Sequence, residues 1–493
     1  MRHVTRGAAL AAILTAASGG MRAGSAQDDD RLTVPDGRIV GIEEAVRIAL
    51  DGSRELAAAR FGIAEASGFV SEAWSAALPT VDLNSSFTRN INAAVNFLPA
   101  RVFDSSAGED DYLAVRFGAD NQWSSGLSVE QALFRPELLS IGAASRLEDL
   151  EYESVRGQEQ AVVTQVRLAY YALLLAEERL RLSQESLARV EASLEETQAR
   201  FEAGFVERYD VLRLQVEVAT LRPRLVDAEN ERNSAERNLA AAMDYGFGGG
   251  LGVTGSLSEI DLETPHANTP ENRALLEFAG SEAGSEIEPL FSTSRELRSD
   301  LRQLDITGDL TRAELRLEKL KYLPSITIFG NYAVSAQDNG SPNFFARGDG
   351  QRAWSQFAGI RVSIPVFRGL SRDARIDQKA ALVRQADELR ERAVDVARLE
   401  LTTLHEDELG ARSRAIGQRA AVALAELAFE IAQNSYEEGV ADRLDLIDAE
   451  LALRESEVSY AEAVHDYLVA RAQLDHAAGT VPLVNADPLT SNR

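Results

Sequence analysis

The chain contains no cysteine. That excludes disulfides, thiolate metal sites, a cysteine nucleophile and a lipid-modified N-terminal cysteine. Lysine is nearly absent, confined to Lys319, Lys321 and Lys379, so arginine carries almost all the positive charge. Positive charge is itself scarce: 51 Lys+Arg against 78 Asp+Glu give a net charge of −27. Nucleic acid, which demands a basic surface, is not an expected partner. Beyond residue 26 no run approaches the ~20 consecutive apolar residues of a membrane-spanning helix; the best, Leu168 to Ala176, is far too short. Also missing are a GxSxG nucleophile elbow, a HExxH metal helix and a phosphate-cradling loop with its lysine. His405-Glu406-Asp407-Glu408 is read as a solvated acidic helix face. No catalytic residue, metal site or cofactor is expected, and the carboxylates that ride with arginines at helical spacings are read as surface pairs.

At 493 residues the chain has room for two or three ordinary domains or one elongated one. Arg2 and Arg6 precede the apolar run Ala8 to Ala17, and Gly24-Ser25-Ala26 follows. This is the pattern of a secretory signal over residues 1–26, cut after Ala26. An exported chain without a spanning helix either stays soluble or enters an outer membrane as a β-barrel.

A short stretch occurs twice. Phe201, Gly204, Arg208 and Asp210 recur in the same register as Tyr436, Gly439, Arg443 and Asp445. A long helical pattern precedes each glycine and another follows it, so each glycine marks the bend of a helical hairpin. Two such hairpins about 235 residues apart imply a tandem duplication. Its parts are a first repeat over 27–243, a Gly/Pro-rich connector and equatorial segment over 244–290, a second repeat over 291–478 and a tail over 479–493.

Within each repeat the hydrophobic period changes. From Ile42 to about Leu78 it is helical, and Pro79 stops it. Val81, Leu83, Phe87 and Ile91 then alternate with polar residues, and after a loop so do Trp123, Leu127, Val129 and Leu133. The second half repeats this with Ile326, Ile328, Tyr332 and Val334, then with Trp354, Ala358, Ile360, Val362, Ile364 and Val366. Four such strands suit a lipid-facing wall, with Trp123 and Trp354 as girdle residues near a membrane interface. The same dyad also suits a half-buried strand of a soluble sandwich; the very long neighbouring helices weigh against that. Four strands cannot close a membrane barrel, since the smallest need about eight. Two copies would supply eight and three copies twelve.

The helix after Pro136 is expected to run to about Arg200, ~95 Å at 1.5 Å per residue, with a heptad seam through Val166, Leu173, Leu180, Leu187 and Leu194. Its return carries Val211, Leu214, Val218, Leu221 and Leu225, so the two pack as an antiparallel coiled coil. Pro223 lies inside that return and predicts a kink. Residues 244–270 hold the run Gly246, Gly248, Gly249, Gly250 and Gly252, then Pro265 and Pro270, and are read as a connector.

The order signal, helix, two strands, helical hairpin, connector, and the same again resembles the TolC-like outer-membrane factor (outer membrane efflux protein) family over residues 40–480. The local signatures are Ser363-Ile364-Pro365-Val366-Phe367-Arg368-Gly369, its echo Gln131-Ala132-Leu133-Phe134, and the two hairpin tips. The resemblance implies a mainly α fold with membrane β: a homotrimer whose twelve-stranded β-barrel, four strands per protomer, continues into a long periplasmic α-barrel. It implies an outer-membrane exit duct for efflux or type I secretion, opened at its periplasmic end by an adaptor protein and an inner-membrane pump of RND or ABC type. At the closed periplasmic mouth it assigns an aspartate ring to Asp445 and Asp448, and the family tyrosine to Tyr436. Where the family has an arginine two residues past the tip glycine this chain has Ala441, and Arg443 is the candidate replacement. Gly204, Phe205, Gly439 and Val440 fall where family members meet the adaptor.

The residues agree with that assignment. Asp445 and Asp448 stand i,i+3 on one helix face, and three copies around an axis would crowd about six carboxylates into a constriction that repels anions and attracts cations. A solvent-facing acidic helix start, favoured by the helix dipole, is the other reading of the same pair. A soluble periplasmic coiled-coil scaffold is the other reading of the whole chain.

Overall fold

A computed structural model describes residues 38–92, 95–116, 118–246, 250–278, 287–340, 352–438, 440 and 443–483. The signal over 1–26, Gly248, Gly249, Gly439, the side chain of Arg443 and the tail past 483 lie outside the described residues.

The chain enters through β1 (Ile39–Val40) and α1 (Ile42–Gly52), then α2 (Arg54–Ser75). The single helix expected over 42–78 is thus two. Ser53 breaks it by leaving the helical region, and its Oγ accepts from Leu56 N at 3.2 Å to cap α2. After Pro79, β2 (Thr80–Arg89) leads into a small hairpin of β3 (Val95–Pro99) and β4 (Tyr112–Arg116), where sequence reading had only a loop. Then come β5 (Asn121–Phe134), α3 (Ser140–Glu202) and α4 (Arg208–Ala242). Pro223 sits within α4 without ending it; it lies on the exposed face, where water can serve the carbonyl that its missing N–H leaves over.

The connector contributes β6 (Gly252–Val253), which pairs in parallel with β1, followed by α5 (Pro270–Phe278). The second half runs α6 (Ile287–Leu297), α7 (Ser299–Leu320), β7 (Ser325–Asp338), β8 (Arg352–Ser363), α8 (Ser371–Glu437) and α9 (Arg443–Ala478). β8 stops at Ser363, short of the expected Val366, and Pro365, with no N–H to give a ladder, follows at once.

β2, β5, β7 and β8 form one antiparallel sheet in that order. The register puts Phe87, Trp123 and Ala336 in one row, Leu83, Leu127 and Tyr332 in another, and Ile328 beside Ile360. Because side chains alternate faces, these share one apolar face with Val81, Val129, Val334, Trp354 and Val362. The opposite face carries Asp82, Ser86, Ser124, Ser128, Glu130, Asn331, Ser335 and Arg361. There Ser86 and Ser124 share a 2.8 Å hydrogen bond, and Arg361 pairs with Glu130 at 3.4 Å.

The main core sits midway along the helices. α1, the middle of α3, the end of α4, the connector and the second half of α9 bury Val46, Val166, Tyr171, Leu239, Leu257 and Leu468 together. Tyr170 ties this belt to the paired ends β1 and β6, donating to Thr254 O at 2.8 Å and accepting from Thr254 N at 3.0 Å. Burial pushes its phenol up to about 12. Arg167 and Asp475 form a fully buried pair at 3.0 Å in the same belt. The acidic run on α8 splits between two faces: Glu406 and Asp407 are exposed, but His405 and Glu408 are buried. The solvated face expected there therefore holds for only half of it, because the inward stripe through Ala397, Leu401 and Ala411 carries both polar side chains with it.

Candidate functional site

The helices converge on two hairpin tips, and the described residues of the two share one closing hydrogen bond. In the first, Phe205 N donates to Arg200 O at 2.9 Å across Gly204, whose φ is +83°. In the second, Val440 N donates to Ser435 O, also at 2.9 Å. Both are the six-to-one bond that closes a helix C-terminus, and at the first tip it spans the left-handed Gly204. Phe205 and Val440 point outward, 82% and 80% exposed.

α9 packs on the α3–α4 hairpin through Ile447, which contacts the cluster of Val190, Leu214, Val218 and Leu221. That contact fixes the rotation of α9 and leaves Asp445 and Asp448 exposed on its first turns. Asp448 lines a cleft of about 180 Å³ together with Arg213, Glu217, Glu450 and Arg454. Higher up, Arg189 of α3 holds Glu450 of α9 at 3.2 Å, and Arg454 Nη1 donates to Ser186 Oγ at 3.1 Å. Burial pushes the Glu450 carboxyl up from its ordinary value, while the Arg189 guanidinium pulls it back. Glu457, nearer the middle of the helices, is raised by burial too.

Tyr436 meets an arginine of the other repeat. Arg200 Nη1 donates to Tyr436 Oη at 3.4 Å, and its guanidinium lies 5.6 Å from the ring centroid. Arg200 is held in turn by Glu196 at 2.5 Å. From the sequence Arg200 marked only the expected end of the long helix and had no role. In the duplication it aligns with Ser435, so no internal symmetry pointed to it.

Trp123 and Trp354 stand on the apolar face of the sheet, within two residues of the same height and at the strand ends remote from the helices. Trp123 Nε1 donates to Ser85 Oγ at 3.2 Å, and Trp354 packs on Tyr332 with ring centroids 5.7 Å apart. Among the described residues no group of three or more His, Asp or Glu is placed to hold a metal ion, and no helix is long and apolar enough to cross a membrane.

The sequence profile of the family described as "outer membrane efflux protein" matches residues 45–244 and 290–480. The outer membrane protein TolC of Vibrio cholerae is 24% identical over 425 residues, 84% of each chain. The alkaline protease secretion protein AprF of Pseudomonas aeruginosa is 25% identical, covering 76% of this chain and 73% of its own. The crystal structure of CusC superposes with a TM-score of 0.68 at 14% identity, over 90% of this chain and 96% of that one. The fold is thus that of the outer-membrane channels whose long helical part continues into membrane strands. The chain belongs to the outer membrane efflux protein family: it is an outer-membrane channel protein that extends into the periplasm, and not an enzyme.

Proposed function

We propose that three copies of this chain form a passive exit duct, opened at its periplasmic tips by an adaptor protein and an inner-membrane pump of RND or ABC type. One observation carries the reading. Among the described residues the apolar-faced sheet has two unpaired edges, β2 of ten residues and β8 of twelve. Each unpaired backbone group facing hydrocarbon costs several kcal/mol, so an isolated sheet is not a stable membrane structure. β8 of one copy against β2 of the next satisfies both edges, and three copies give a closed wall of twelve strands.

In this reading residues 27–243 and 291–478 are the two repeats, and 244–290 is the connector that builds the belt. Asp445 and Asp448 ring the mouth, and Tyr436 is held there by Arg200, with Arg443 at the start of α9 as a second cation. Phe205 and Val440, beside Gly204 and Gly439, are the apolar knobs that an adaptor hairpin would cover, and Trp123 and Trp354 mark the outer membrane interface. The chain holds no nucleotide-site motif, so the energy for opening comes from the partner.

The test is a planar-bilayer recording on protein extracted from outer membranes. The expected results are a heat-dissociable trimer, a cation-preferring pore and block by a trivalent cation from the periplasmic side. Replacing both Asp445→Asn and Asp448→Asn should abolish that block. A water-soluble monomer without conductance would overturn the duct, and block unchanged in the double variant would overturn the aspartate ring.

A further inference from the structure

A second charged feature lies far from the tips, where strands turn into helices. The end of β5 with the start of α3, the passage from α7 to β7, and the passage from β8 to α8 surround a cavity of about 540 Å³. Arg135, Lys321, Arg368, Arg372 and Arg375 line it, against one acid, Glu137. This inverts the balance of a chain with 78 acids and 51 bases. Ser325 and Ser363, register partners on the polar face of the sheet, complete the rim toward the strands.

The cations are not merely neutralising nearby acids. Lys321 is held by Glu318 at 2.5 Å, but Arg135, Arg368 and Arg375 have no ion pair among the described residues. Arg372 is positioned by its surroundings. Its guanidinium covers the Tyr322 ring at 5.2 Å, and Tyr322 is fixed by donating to Asp373 Oδ1 at 2.7 Å. Held in this way, Arg372 Nη1 is buried and makes no hydrogen bond among the described residues. A charged donor left without a partner is costly, and an acceptor bound in the cavity would relieve that cost.

From this geometry we infer an anion site that takes a phosphate-bearing ligand. Several arginine forks converging on one roomy cavity match phosphate oxygens, each able to make two parallel charge-assisted bonds. The inner end of the membrane strands stands within reach of two sources of that chemistry: a phospholipid headgroup, or a phosphate-bearing solute in the duct. The site is built from one chain and does not depend on how the tips open.

Inorganic pyrophosphate titrated calorimetrically into the purified full-length protein tests it. Binding is expected for the native protein, weakened at least about tenfold in Arg372→Gln/Arg375→Gln and only partly recovered in Arg372→Lys/Arg375→Lys, which keeps the charge but loses the fork. Arg384→Gln/Arg392→Gln, farther along α8 with the same charge change, should bind as the native protein does. If Arg372→Gln/Arg375→Gln does not assemble, Arg375→Gln alone, exposed and unpaired, carries the same expectation of weaker binding. Absence of binding to the native protein overturns the site, as does equal weakening by the two Gln pairs, which would report diffuse charge. Nanodiscs separate the sources. Pyrophosphate displaced when phosphatidylglycerol is added to phosphatidylcholine identifies a headgroup site, and binding equal in both identifies a site for soluble phosphates.

Discussion

Arg200, four residues before the first hairpin glycine, lies over the ring of Tyr436, three residues before the second. The contact joins the two halves of the duplication at their tips. A cation over a partly exposed aromatic ring such as Tyr436 contributes at least about 0.5–1 kcal/mol, which corresponds to a roughly two- to fivefold bias between two states. Arg200→Gln should therefore raise the open probability of the pore in planar bilayers by about that factor per protomer. An unchanged gating record would show that this contact plays no part in closing the mouth.

The pair Arg189–Glu450 makes the attachment of α9 to α3 sensitive to pH in a defined direction. The folded Glu450 carboxyl titrates above its unfolded value, so between the two values the folded state binds more protons and stability falls as pH rises. Arg189 limits that loss. Arg189→Gln should lower the melting temperature of the helices at pH 7.5, by an amount equivalent to about 1–2 kcal/mol for a partly exposed partner. The deficit should shrink as pH is lowered toward 5. Circular dichroism melts at both pH values read this directly, and a deficit that grew on acidification would contradict the assignment.

Two left-handed glycines should respond differently to the same change. At Gly204 a Cβ would meet nothing within 4 Å, so Gly204→Ala carries only the backbone cost of φ +83°, roughly 1–2 kcal/mol. At Gly479, φ +73°, a Cβ would lie 2.7 Å from both Arg298 N and Leu297 C. Gly479→Ala should add a backbone clash in the belt to that strain and sharply reduce the amount of assembled protein. Equal yields and melting temperatures for the two variants would mean that the belt tolerates displacement of the segment before α7.

The sequence by itself determined the elements that local chemistry dictates. Heptad spacing announced α3 and α4, the helical patterns either side of the second tip announced α8 and α9, dyads announced the four long strands, prolines marked the passages between strand and helix, and glycines marked the tips. The breaks it missed are also local but weaker: the Ser53 cap inside an apolar helical pattern, and the β3–β4 hairpin of five-residue strands. Periodicity states that a face is covered, never by what. Only the tertiary structure decided that β5 pairs with β7, which joins the two repeats in one sheet. It alone buried His405 and Glu408, set Arg200 on Tyr436 and gathered arginines from three separate passages around one cavity. Each of these is a meeting of residues far apart along the chain, fixed by how whole elements pack and not by the preferences of the residues that meet.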